Sequence, residues 1–119
     1  MEIDFDKMQG LVPAVIQDWG SGELLMVGFM NREALESMLH KGFVTFYSRT
    51  RQKLWTKGET SGNRLEVVAA LTDCDRDTVL LRVRVLGPGK VCHTGSRSCF
   101  TQELPLAAAS RTVEEEMRR

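Results

Sequence analysis

The apolar positions of this chain change period several times, and each change marks an element. "LVPAVIQDW" and "ELLMVGFMN" are rich in branched apolar residues and are joined by Gly20-Ser21-Gly22. Glycine supplies the backbone angles of a tight turn, so this stretch predicts a β-hairpin. In "NREALESMLHKG" the period lengthens, and Ala34, Leu35, Met38 and Leu39 form one stripe at helical spacing. Asn31 is placed to cap the start of that helix and Gly42 to close its end. "FVTFYSRT" is aromatic and β-branched and predicts another strand. "LEVVAALT" and "TVLLRVRVLG" predict a second hairpin with acidic residues at its turn, whereas "GPGK" and "VCHTGSRSCF" read as a loop. The end, "LPLAAASRTVEEEMRR", has helical composition but weak periodicity. Residues 1–104 are therefore expected to form one domain, with 105–119 a short helix or frayed tail. The sum is an α+β fold of mostly antiparallel strands with one prominent helix.

Composition narrows the class. A chain of 119 residues with 42% hydrophobic content is sized for a single core. Sixteen Lys and Arg balance sixteen Asp and Glu, which removes the broad basic footprint of a general nucleic-acid binder and makes any phosphate recognition local. The start, "MEIDFDKMQG", lacks the basic flank and apolar run of a signal peptide. No apolar stretch approaches the ~18–20 residues that span a bilayer, so a soluble cytoplasmic protein without membrane partners is expected. Three cysteines without an export signal predict reduced thiols, buried or metal-bound, over a disulfide framework. Met26, Met30 and Met38 fit ordinary packing, and His40 suits the C-terminal end of the helix dipole.

Three stretches carry candidate chemistry. "LTDCDRDTV" sets Asp73, Asp75 and Asp77 at alternate positions with Cys74 between the first two. Such a cluster costs repulsion, so a cationic neighbour is expected. Carboxylates suit magnesium or another hard cation, and thiolates suit zinc. If the stretch is extended, alternation sends the three aspartates one way and Cys74 the other, so one segment could serve two metals. Cys74, Cys92 and Cys99 together supply three thiols, and three protein ligands with an open position is the pattern of a catalytic zinc. Buried structural thiols and a solvated Asp-rich turn are the plainer alternatives. In "YSRTRQKLWTKGETSGN", an extended chain would place Arg49, Arg51, Lys53, Trp55 and Lys57 on one face, fit for phosphate and a flat ring. The following "GETSGN" offers backbone N–H groups and the Thr60 and Ser61 hydroxyls to an anion. A solvated edge strand guarded by Lys and Arg is the alternative. His93, beside Cys92, is a candidate general base or fourth ligand, because an imidazole exchanges protons near neutrality.

Taken together, "FMNREAL", "YSRTRQKLWTKGETSGN", "DCDRD" and "CHTGSRSCF" resemble the phosphoribosyl-AMP cyclohydrolase family of histidine biosynthesis, over about Leu11 to Phe100. The resemblance implies magnesium at Asp73, Asp75 and Asp77 and zinc at Cys74, Cys92 and Cys99. It also implies an intertwined homodimer whose zinc site takes Cys74 from one chain and the other two thiols from its partner. The implied reaction is hydrolysis of the N1–C6 bond of the adenine ring of phosphoribosyl-AMP, by a water that zinc acidifies. On that reading His93, and second to it Glu59, move protons. Arg49, Arg51, Lys53, Lys57, Thr60 and Ser61 hold phosphate, and Trp55 packs on a base or ribose. Some family members continue into a pyrophosphatase domain, for which residues 101–119 are too short, so a monofunctional enzyme is expected.

Two rivals are weaker. A zinc nucleoside deaminase would carry H-x-E and P-C-x-x-C, which this sequence lacks. A small zinc module binding nucleic acid through residues 49–57 is disfavoured by the zero net charge.

Overall fold

The computed structural model describes residues 2–107 and residue 117. The elements are β1 (Val12–Asp18), β2 (Leu24–Met30), α1 (Arg32–Lys41), β3 (Thr45–Ser48), β4 (Lys53–Thr56), β5 (Leu65–Thr72) and β6 (Val79–Val85). Both expected hairpins form, β1 with β2 and β5 with β6. The four strands join into one sheet in the order β2-β1-β6-β5, and the central pair, β1 with β6, is parallel. The fold is thus α+β, and its main sheet is mixed. A second, two-stranded sheet pairs β3 with β4. The tail expected over 105–119 lies, apart from residues 105–107 and 117, outside the described residues.

Alternation decides which sheet face is buried. Val12, Ala14 and Ile16 on β1 and Val79, Leu81 and Val83 on β6 point into the core with Leu25 and Met30 of β2. Fully burying a side chain such as Ile16 or Leu81 contributes about 1.5–3 kcal/mol. The helix covers this face through Ala34, Leu35 and Met38, while Leu39, the fourth residue of the expected stripe, is 61% exposed. Both caps form as the sequence predicts. Asn31 Oδ1 accepts the Ala34 N–H at 2.9 Å, and Gly42, at φ 85°, donates its N–H to the Met38 carbonyl at 2.8 Å.

Phe46 of β3 is buried against the core and stacks at a tilt on Trp55 of β4, with ring centroids 5.1 Å apart. Gly28 of β2 lies directly under the Phe46 ring, where a Cβ would overlap it. The β3–β4 pair is seated on the sheet by that ring.

The opposite sheet face is less covered. The strand registers put Val27, Val15, Leu80 and Leu71 in one row across all four strands, and Val27 and Leu71 are 44% and 50% exposed. Among the described residues no helix is long and apolar enough to cross a membrane.

Candidate functional site

The acidic stretch is the turn of the β5–β6 hairpin, not an extended segment. Arg76 adopts a left-handed conformation at φ 61° and donates its N–H to the Asp73 carbonyl at 3.2 Å. Asp73 Oδ1 in turn accepts the N–H groups of Asp77 and Thr78 at 3.1 and 3.2 Å. Curling of the chain, rather than strand alternation, therefore gathers the three carboxylates. One oxygen from each of Asp73, Asp75 and Asp77 lies within 4.8 Å of the others.

The expected cationic neighbour comes from the far N-terminus. Lys7 Nζ donates to Asp75 Oδ2 at 3.0 Å and to Asp77 Oδ2 at 3.1 Å. Its segment is held by the Asp4 N–H, which donates to the Arg76 carbonyl at 2.7 Å, and by the buried ring of Phe5. The Lys7 ammonium holds the Asp75 carboxyl below its ordinary range. Asp77 feels the same ammonium, yet desolvation and the neighbouring Asp75 and Asp73 move it upward overall. A set of oxygen donors that already draws an ammonium fits a hard divalent cation. Cys74 is exposed on the same turn.

The loop after β6 carries the other two thiols. It closes on itself through the Cys92 N–H to the Ser96 carbonyl at 3.0 Å and the Gly95 N–H to the Cys92 carbonyl at 2.9 Å. The Cys92 and Cys99 thiols are near enough that each shifts the other's ionisation. The Thr94 hydroxyl donates to Cys92 Sγ at 3.0 Å and is the main reason that this thiol is lowered from 9.0 to about 6. Burial, and then the neighbouring Cys92, push the Cys99 thiol up, while the Lys57 ammonium opposes them. One thiol poised to ionise beside a second gives a soft donor pair suited to zinc. His93 is exposed next to Cys92.

The basic stretch folds back on itself. Arg49 to Gln52 form a turn, with Gln52 at φ 51°, and β4 starts only at Lys53. The single basic face expected of an extended 49–57 segment is therefore not formed. Arg51, Trp55, Lys57, Glu59, Thr60 and Ser61 nonetheless line one hollow of about 540 Å³. Arg49 lies instead over the Phe29 ring at 5.7 Å and borders a separate hollow with Asn31 and Tyr47, and Lys53 is exposed on β4. Trp55 packs on Phe46 and also borders the larger hollow. The 58–63 loop is tied to the segment leading into the cysteine loop. Asn63 Oδ1 accepts the Lys90 N–H at 3.4 Å, and Gly87 leaves no room for a Cβ against the Gly62 carbonyl.

These parts do not all meet within one chain. Val79, where β6 leaves the acidic turn, pairs with Ala14, whereas the Cys99 N–H donates to Leu25, whose strand neighbours pair with Ile16 and Gln17 further along β1. Cys74 and Cys99 are thus attached near opposite ends of the sheet. They are also separated laterally, from β6 to β2, by two strand spacings of about 4.8 Å each. A zinc ion reaches each sulfur at about 2.3 Å, so one chain brings two thiols together and leaves Cys74 apart. Sequence reasoning missed Lys7, Thr94 and Arg97 as neighbours of these groups. Only the demand for a cation near the aspartates pointed toward the first.

A hard donor set, a soft donor pair and a basic hollow beside the latter form an arrangement that could take metal ions and an anionic ligand. The family model described as phosphoribosyl-AMP cyclohydrolase matches residues 26–101. The chain is 59% identical over 100 residues to a protein of Geotalea daltonii named phosphoribosyl-AMP cyclohydrolase, covering 84% of this chain and 79% of that one. It is 57% identical over 104 residues to one of the same name from Solibacter usitatus, covering 87% and 82%. It is also 54% identical over 103 residues to the histidine biosynthesis bifunctional protein HisIE of Bacteroides thetaiotaomicron, covering 87% of this chain and 50% of that one. The chain belongs to the phosphoribosyl-AMP cyclohydrolase family, a family of hydrolases.

Proposed function

We propose that this chain acts in histidine biosynthesis as a zinc- and magnesium-dependent phosphoribosyl-AMP cyclohydrolase, a cytoplasmic homodimer formed by its residues 1–104 that opens the adenine ring at N1–C6. The observation that carries the two-metal reading is the pair of donor sets, three carboxylates at one end of the sheet and two adjacent thiols near the other. Cys92 and Cys99 would hold zinc with Cys74 of a second copy, and Asp73, Asp75 and Asp77 would hold magnesium. Zinc bound there would supply an acidified water for attack on C6.

The chain's own residues supply the remaining functions. Arg51, Lys57, Thr60 and Ser61 border the hollow beside the cysteine loop and would hold a substrate phosphate, with Trp55 as a wall for base or ribose. Arg49 and Lys53, which lie apart from that hollow, would serve the second phosphate from the partner's side or add only a general field. His93, exposed beside Cys92, would move a proton to the departing nitrogen, and Glu59 at the hollow's rim is the second candidate. The uncovered row Val27, Val15, Leu80 and Leu71 supports pairing with another copy.

The activity is tested by incubating the purified protein with zinc, magnesium and phosphoribosyl-AMP and following the absorbance change of ring opening. No change in absorbance would refute the reading. The shared site is tested by mixing and refolding Cys74→Ser and Cys92→Ser chains, each inactive alone. A heterodimer then has one site with both defects and one with none, so about half of the wild-type activity per dimer should return. No recovery in a mixture shown by mass spectrometry to contain heterodimers would refute the sharing.

A further inference from the structure

We propose that Arg97 is a positioning residue for the thiol pair, clamping the cysteine loop to the β1–β2 turn so that Cys92 and Cys99 are held ready for a metal. Arg97 lies between the two cysteines in sequence, and its guanidinium forks onto two acids at the two ends of one turn. Nε donates to Glu23 Oε1 at 2.7 Å, and a terminal nitrogen donates to Asp18 Oδ1 at 3.0 Å.

The anchor is held by contacts that do not involve the clamp. Asp18 Oδ2 is taken by the Gly20 N–H, the Ser21 N–H and the Ser21 hydroxyl at 3.1, 2.8 and 2.9 Å, which leaves Oδ1 facing Arg97. The Asp18 N–H also donates to the Glu23 carbonyl at 2.8 Å, fixing the two acids relative to each other. A planar fork meeting two fixed carboxylates restrains orientation as well as position, which a lysine would not do.

The clamp acts on one cysteine more than on the other. Cys99 has its own ties to β2, through its N–H to Leu25 at 2.8 Å and through the Ser98 hydroxyl to the Leu24 carbonyl at 2.8 Å. Cys92 has none to the hairpin. It rests on the loop itself, through its N–H to the Ser96 carbonyl and through the Thr94 hydroxyl, which neighbours the Ser96 hydroxyl at 3.3 Å. Val91, buried in the core, fixes the chain just before Cys92, and Arg97, directly following Ser96, is the side-chain link that holds the far side of the Cys92 turn, where the Ser96 carbonyl accepts the Cys92 N–H, against the sheet. Without it the Cys99 sulfur stays in place and the Cys92 sulfur gains freedom that metal binding must remove.

This inference rests on the zinc reading, and the test separates the two. Zinc affinity is measured by competition with a chromophoric chelator for the wild type, Arg97→Gln, Arg97→Lys and Glu23→Ala. Manganese affinity at the aspartates serves as the control. Arg97→Gln is expected to bind zinc about 10–100-fold more weakly with manganese binding unchanged, the usual cost of losing a group that orients metal ligands. Arg97→Lys should fall between, and Glu23→Ala should weaken zinc in the same direction. In the metal-free protein the alkylation rate of Cys92 should rise in Arg97→Gln while that of Cys99 stays constant. If the wild type binds no zinc, the metal reading fails. If it binds zinc and Arg97→Gln binds it equally well, the clamp is refuted. Should Arg97→Gln not fold, Glu23→Ala decides, and wild-type zinc affinity in that variant overturns the proposal.

Discussion

Thr94 sets the chemistry of Cys92 chiefly through a hydroxyl donated to the sulfur, which favours the thiolate. In the metal-free protein, iodoacetamide labelling of Cys92 should therefore show a midpoint near pH 6, and Thr94→Val should move that midpoint upward. The sign for stability follows. Because folding lowers this thiol from 9.0 to about 6, its contribution is fully present above its unfolded value and is lost as the pH falls through about 6. Cys99, raised by folding, works the other way and loses its contribution as the pH rises. At the aspartates, Lys7 competes for the oxygens a metal would use. Lys7→Met should bind manganese about threefold to tenfold more tightly, measured by calorimetry, since two exposed ion pairs no longer have to be broken. Equal affinity would show that the ammonium does not occupy the site in solution. Lys7 could not be paired with Asp75 from the sequence, because only the fold brings them together.

Elements were the most legible level, and their legibility followed from local chemistry. Asn31, Gly42 and the Ala34–Leu35–Met38 stripe are near neighbours in sequence, so α1 could be bounded from its caps and period. Replacing Asn31 by Ala should lower stability by about 1 kcal/mol in urea unfolding, the usual loss for an N-cap. The 49–57 stretch was misread for an equally local reason. Alternating basic residues look like one strand, and a single left-handed residue, Gln52, turns them into a hairpin. Gly28 shows how that hairpin is seated. Gly28→Ala would force Phe46 off the sheet, so a loss of about 1–3 kcal/mol is expected, the usual range for overpacking. A rise in KM larger than any fall in kcat should accompany it, because Trp55 and the hollow move with Phe46. An unchanged KM would separate the seating of the hairpin from substrate binding.

At the scale of the whole molecule, the parallel pairing of β1 with β6 is what places the acidic turn and the cysteine loop near different ends of the sheet. Sequence reasoning could not supply it, since each strand has a hairpin partner close by and nothing local selects the third neighbour. The three thiols could be named from the sequence, and the register sets Cys74 apart from the Leu25 backbone that ties Cys99, but their assignment to two chains rests on the resemblance. The row Val27, Val15, Leu80 and Leu71 has a thermodynamic consequence. If this face pairs with a second copy, as proposed above, stability becomes a function of how many copies are present, and dilution acts as a denaturant. Diluting the protein about 100-fold should weaken a paired state by about 2.7 kcal/mol and lower the melting temperature by several degrees. A melting temperature independent of concentration would mean that this face remains open to water.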